Sequence, residues 1–198
     1  NIKKIIFASS SSVYSDNSQN KFSENSTLLS PKSYYGQTKL MNEEFSKSFF
    51  ENFDYQIIGL RFFSVYGPFG RPDMAYYSFA KNLLEGKPIT LNNDGNMARD
   101  MTYISDIING IILSIDYLNN TKVKTNEIFN LGNDKPIKTL HLLETLQKKL
   151  NKRSSIMHTK TDYESKFTHA DISKSKSILG YSPETSFEEG IDLFLRWF

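Results

Sequence analysis

This chain of 198 residues has no cysteine, which excludes disulfides and thiol nucleophiles. Histidine is nearly as scarce, and the three present, His141, His158 and His169, show no metal-ligand spacing. No apolar run approaches the roughly 18 residues that a membrane span needs. The opening Asn1-Ile2-Lys3-Lys4-Ile5-Ile6-Phe7 has too short an apolar core for a signal peptide. A surplus of one charge is also missing: the net charge is +2, so nucleic acid is not implied as a partner. What is present suits a soluble fold, with 38% hydrophobic, 14% aromatic and 23% charged residues. The expectation is a cytoplasmic enzyme or binding protein, built as one large domain or two small ones.

Ile2 to Ser9 reads as a strand, and its continuous apolar run Ile5-Ile6-Phe7-Ala8 is the pattern of a parallel strand covered on both faces. It ends in Ser9-Ser10-Ser11-Ser12, and the polar stretch from Asp16 to Ser30 reads as a surface loop. Pro31 precedes a helix from about Ser33 to Asn52, with Leu40, Met41, Phe45 and Phe49 near helical spacing. Tyr55 to Arg61 is a second strand, which completes a βαβ unit and predicts a parallel sheet. Phe62 to Asp73 reads as a loop, and Met74 to Glu85 as a helix stopped by Gly86. Further on, Pro88–Leu91, Arg99–Tyr103 and Glu127–Leu131 read as extended. Ser105 or Asp106 caps an apolar helix to about Leu118, and helices follow at Thr139–Leu150, Ser173–Leu179 and Ser186–Phe198. Strict βα alternation is lost after Arg61, which predicts two lobes. Residues 1–72 and 100–135 would form a doubly wound sheet, and 73–99 with 136–198 a smaller α/β lobe.

Tyr35 and Lys39 are four residues apart at the start of the first helix, so phenol and ammonium share one face. A nearby positive charge favours the phenolate, and a helix N-terminus adds to that. Tyr77 and Lys81 have the same spacing, so the pair alone is weak. Tyr35 differs in having a serine cluster at a strand end about 25 residues upstream. Together they make an acid–base set suited to taking a proton from an alcohol as hydride leaves its carbon. The competing reading is a turn capped by serines beside a solvated lysine. For Tyr77 and Lys81 the reading is a surface coincidence.

Three stretches carry a resemblance: Ile5 to Tyr14 with its serine run, Tyr35-Gly36-Gln37-Thr38-Lys39, and Leu60-Arg61-Phe62-Phe63-Ser64-Val65-Tyr66-Gly67-Pro68. They resemble the extended short-chain dehydrogenase/reductases, and within these the NAD-dependent nucleotide-sugar epimerases. Gly70-Arg71-Pro72-Asp73, Leu84-Glu85-Gly86-Lys87-Pro88 and Arg99-Asp100-Met101-Thr102-Tyr103 are similar to the UDP-glucuronate 4-epimerase subgroup in particular. Asn130-Leu131-Gly132-Asn133, Ala170-Asp171 and Leu179 to Ser186 extend the likeness to the C-terminus. The resemblance implies an α/β fold, the C-terminal part of a doubly wound Rossmann sheet with a smaller substrate-binding lobe.

It also implies roles. Ser10 would be the catalytic hydroxyl, Tyr35 the acid/base, and Lys39 the residue that tunes Tyr35 and holds the nicotinamide ribose of NAD. Phe62 would border the cofactor. Ser11, Ser12 and Ser64 would line the sugar, Arg71 would meet a sugar carboxylate, and Arg99 the nucleotide diphosphate. Dehydratases of this superfamily carry Asp-Glu where this chain has Ser11-Ser12, and the decarboxylases a Glu at Ser12, so epimerisation of a UDP-sugar at C4 is the implied reaction. Another nucleotide-sugar epimerase, such as a UDP-glucose 4-epimerase, is the alternative substrate reading. A homodimer is the implied assembly.

Two departures stand out. The region Asp162–Asp171 lacks the Gly-Asp word of the subgroup, so no nucleotide contact is carried over to it. None of the ten glycines forms the Gly-x-x-Gly-x-x-Gly turn that seats the NAD pyrophosphate. The sequence therefore reads as beginning within a longer gene product, with an apolar sheet edge left open beside Ile2–Ser9. A non-catalytic remnant, or a half that binds nucleotide sugar without turnover, is the competing class.

Overall fold

The computed structural model describes residues 2–15, 21–27, 29–161 and 166–198. In chain order its first elements are β1 (Lys4–Ser10), α1 (Tyr34–Asn52), β2 (Gln56–Phe62), β3 (Ser64–Tyr66), α2 (Ala75–Glu85) and β4 (Ile89–Asn92). Then come β5 (Ala98–Tyr103), α3 (Ile104–Asn120), β6 (Asn126–Leu131), β7 (Pro136–Lys138) and α4 (Thr139–Leu150). The last are β8 (Ile156–Thr159), α5 (Ser173–Leu179) and α6 (Phe187–Trp197).

The βαβ unit legible in the sequence is β1-α1-β2. Both β1 and β6 run parallel to β2, which lies between them and buries Ile57, Ile58 and Leu60. β1 has the open edge expected beside Ile2–Ser9, but not the cover expected on both faces. It is an edge strand: Ile5, Ile6 and Phe7 are only half-buried and Ala8 is exposed, because no strand lies on its other side among the described residues. Its apolar run is written for cover that these residues do not supply.

The loop expected over Phe62–Asp73 contains β3, which pairs parallel with β5, while β5 pairs antiparallel with β7. β4 pairs with β8. Strands of three or four residues are too short for alternation to show in sequence, and tertiary pairing defines them. The cap of α3 also differs. The helix starts at Ile104 with no side-chain cap, and the Asp106 carboxylate instead accepts the N–H groups of Glu184 and Thr185, both at 3.2 Å. α2 ends as expected, at Gly86 with φ 66°, a left-handed backbone that glycine adopts without strain.

The largest core packs α2, α4 and α6 around β3 and β5, with Tyr66, Tyr76, Leu83, Leu143, Ile191 and Phe194 sealed inside. Tyr77 joins it, its ring lying 4.8 Å from Phe198 and 6.1 Å from Phe194. Tyr77 is therefore half-buried, while Lys81 one turn on is exposed. Asp16–Asn20 and Leu28, part of the expected surface loop, lie outside the described residues, as do Asp162–Ser165. Elsewhere in that loop Phe22 is buried, stacked 4.7 Å from Tyr14 in a small core with Val13, Phe63 and Ala170. A single aromatic in a polar stretch has a burial site that only tertiary structure reveals.

α1 is turned against its apolar pattern. It buries Gly36, Glu43 and Ser46 and exposes Met41, Phe45 and Phe49.

Candidate active site

β1 ends where Ser10 caps a short 3-10 turn, Ser11–Val13. Its Oγ accepts the Ser12 N–H at 3.1 Å and donates to Ser12 Oγ at the same distance. The serines therefore do close a turn, as the competing reading held, and that turn places Ser11 and Ser12 on the wall of a cavity. Across from them α1 begins at Tyr34, capped by Ser33, whose Oγ accepts the Gly36 N–H at 3.0 Å. Gly36 is required by contact: a Cβ there would run into the Ser12 carbonyl oxygen and the Pro31 ring. This close approach seats the first turn of α1, with Tyr35, against the serine turn.

Lys39 is not merely solvated. Its ammonium donates to the Ala8 carbonyl at 3.0 Å and lies 5.5 Å from the centre of the Tyr35 ring. Tyr35 itself is 54% exposed. One turn further along the same face, Glu43 enters a buried network. Arg61 grips it with Nε at 2.9 Å and a second nitrogen at 2.7 Å, and the two side chains are only 3% and 6% exposed. The Ser9 hydroxyl donates to the same carboxylate. Arg61 also donates to the Tyr14 hydroxyl at 2.8 Å, which donates in turn to Asn130 Oδ1 at 2.7 Å. Glu43, Lys39 and Tyr35 follow one another at four-residue steps, so this network fixes the rotation of α1 and the register of the serine turn together.

Tyr14 also lines the cavity, yet it is a poor acid/base. Burial pushes its phenol up to about 12, against the opposing pull of Arg61, so it stays protonated near neutral pH with its hydroxyl committed. Burial alone would depress the Arg61 guanidinium, but Glu43 and Tyr14 override that and hold it charged.

The cavity measures about 540 Å³, within the roughly 300–1,000 Å³ usual for small-molecule sites. Of the residues singled out in the sequence, Ser11, Ser12, Ser64 and Arg99 are brought together on its wall. Arg99 sits two residues before Met101, the partner of Ser64 in the β3–β5 pairing. The carboxylate of the neighbouring Asp100 is buried and accepts the N–H groups of Asn133 at 2.7 Å and Ala170 at 2.9 Å. Phe62 is the register partner of Ser10 at the end of β2. Arg71 stands apart. It is 75% exposed, does not line the cavity, and forks onto Asp73, with Nε 3.0 Å from Oδ1 and a second nitrogen on Oδ2. That guanidinium holds the Asp73 carboxyl below the usual range.

Sequence reasoning missed Lys32, Asp73, Asn92 and Thr168, all on the cavity wall. Lys32 lay within the motif stretch but carried no signal of its own. Thr168 comes from the region where the family words fail; its hydroxyl accepts the Asp100 N–H at 3.1 Å, and its own N–H donates to the Ala98 carbonyl.

Residues 1–132 match the NAD dependent epimerase/dehydratase family. Over the full 198 residues the chain is 46% identical to the uncharacterized protein MJ1055 of Methanocaldococcus jannaschii, of which it spans 59%. It is 40% identical to UDP-glucuronate 4-epimerase 1 of Arabidopsis thaliana, with 98% of the chain matched to 48% of that protein. Its fold superposes on UDP-glucuronic acid 4-epimerase from Bacillus cereus, solved with UDP-glucuronic acid and NAD, with a TM-score of 0.91 and 37% identity. There all of this chain matches 62% of the other. The chain thus spans about half to three fifths of the length of these relatives. Its parallel sheet and its sequence agree: the chain belongs to the NAD dependent epimerase/dehydratase family.

Proposed function

We propose that this chain supplies the acid/base and UDP-sugar-binding part of a UDP-sugar 4-epimerase acting on UDP-glucuronate and UDP-galacturonate. The observation that carries the reading is the joining of Tyr35 and Lys39 to the serine turn beside a cavity of mixed polar and apolar lining. Ser11 and Ser12 offer that cavity hydroxyls, and its carboxylate Asp73 is taken up by Arg71. Among the described residues at the strand end, Ser11 and Ser12 stand where elimination would need an extra acid and base, and the nearby Glu43 carboxylate is held by Arg61.

In this reading Ser10 and Tyr35 hydrogen-bond the sugar O4. Tyr35 takes its proton as the C4–H bond breaks and returns it after the 4-keto sugar has turned its other face. Lys39, anchored on Ala8, keeps its ammonium beside the Tyr35 ring. Ser11, Ser12 and Ser64 hold the sugar and Arg99 the diphosphate. Ser10, Phe62 and Lys39, at the carboxyl ends of β1 and β2, are the residues that would hold the nicotinamide end of NAD. When bound, NAD supplies the hydride acceptor and donor. Its pyrophosphate seat has no counterpart among these glycines. Residues 1–72 with 100–135 would belong to the cofactor lobe, and 73–99 with 136–198 to the substrate lobe. The outward apolar stripe of Met41, Phe45 and Phe49 supports pairing of two copies along α1.

The missing glycine turn also favours a second reading, a half that binds nucleotide sugar without turnover. One experiment separates them. The 198-residue chain should bind UDP-glucuronate in a calorimetric titration, bind NAD poorly and convert nothing. Joined to the Gly-rich dinucleotide-binding part of the Bacillus cereus enzyme, it should form the 4-epimer. Binding without turnover in the joined protein would leave only the second reading, and no binding of UDP would sink both.

A further inference from the structure

The loop that carries Arg71 is fixed in its backbone and free in its side chain. A Cβ on the preceding Gly70 would run into the Tyr76 hydroxyl, and Tyr76 is sealed in the largest core. The Arg71 carbonyl accepts the Met74 N–H at 3.2 Å, which closes the turn into α2. The guanidinium, by contrast, stands in water and forks onto Asp73, itself exposed, with Nε 3.0 Å from Oδ1. Asp73 lines the cavity and Arg71 does not, so the pair puts the guanidinium at the cavity rim. The Tyr35 phenol lies within electrostatic reach of Arg71, which sets that rim beside the proposed acid/base. An exposed ion pair of this kind is weak and screened by salt. A second carboxylate can offer Arg71 the same two-pronged geometry, so a rotation of the side chain exchanges one partner for the other.

We propose that Asp73 is a specificity residue that competes with the sugar carboxylate for Arg71. This rests on the UDP-sugar reading of the cavity and adds to it the group against which an acidic sugar is weighed. Without sugar, Asp73 keeps the guanidinium. A UDP-hexuronate takes it over with the carboxylate at C6, whereas a neutral UDP-hexose leaves the Arg71–Asp73 contact closed. Because the substrate must displace Asp73, the preference for the acid is held down and its carboxylate is released readily. That suits a site in which the 4-keto sugar has to turn, with Asp73 receiving Arg71 each time the carboxylate leaves.

The test compares UDP, UDP-glucose and UDP-glucuronate by calorimetric titration of the full chain at low salt. The proteins are wild type, Asp73→Asn, Arg71→Met and the double variant. Both side chains are exposed, and unchanged melting temperatures check that the fold is intact. The quantity read is the ratio of the affinities for UDP-glucuronate and UDP-glucose, which should exceed one in wild type. Asp73→Asn should raise it about threefold, Arg71→Met should bring it close to one, and in the double variant Asp73→Asn should add nothing. A ratio unchanged or lowered in Asp73→Asn, an equal gain for all three ligands, a rise that persists in the double variant, or a preference kept by Arg71→Met would overturn the competition. Each of these leaves the UDP reading in place. Wild type that binds no UDP would overturn the reading of the cavity and this proposal with it.

Discussion

The core around α2, α4 and α6 and the contact of α1 with β1 and β2 are built in opposite ways. In the first, aromatic and aliphatic side chains face inward, and Tyr66, Tyr76 and Phe194 are almost fully buried. In the second, the helix turns Glu43 and Ser46 toward the sheet and leaves Met41, Phe45 and Phe49 outside. Apolar burial is strong but non-directional. A two-pronged Arg61–Glu43 contact fixes distance and rotation. The difference teaches that apolar burial holds one region together while directional contacts set the rotation of α1 against the serine turn in the other.

Two substitution sets sharpen this contrast. The largest losses of stability should come from Phe194→Ala and from Glu43→Ala, for different reasons. Phe194→Ala empties a sealed core and should cost about 3–5 kcal/mol in urea unfolding. Glu43→Ala strands the buried Arg61 charge and should cost a similar amount, about 3–5 kcal/mol. Replacing both partners together, as Glu43→Leu with Arg61→Met, should recover most of that stability, since an apolar pair removes the stranded charge. If Glu43→Ala melts like wild type, the network does not hold α1. At the small end, Phe45→Ser should change stability by no more than about 0.5 kcal/mol in the monomer, because its ring already stands in water. A large loss there would mean that α1 is covered in solution by another surface, as the pairing of two copies along α1 requires.

Much of the site could be read in the sequence because it is local. Tyr35 and Lys39 share a helix face by spacing alone, and Ser10 to Ser12 follow a strand whose apolar run is continuous. The βαβ unit followed from the same patterns. What escaped depends on contacts between distant segments. The burial of Phe22 requires Tyr14 and Ala170, the role of Thr168 requires β5, and the contact of Arg71 with Asp73 lies off the cavity wall. The orientation of α1 was hidden for another reason. Its apolar positions predict an inward stripe, whereas Arg61 on a neighbouring strand draws Glu43 inward instead.

The account stands most directly on Tyr35. In the chain joined to a Gly-rich dinucleotide-binding part, formation of the 4-epimer from UDP-glucuronate can be followed by NMR for wild type and Tyr35→Phe. Removing the hydroxyl should lower turnover by about 100-fold or more while the affinity for UDP stays unchanged. Equal turnover in Tyr35→Phe, or none in the joined wild type, would contradict it.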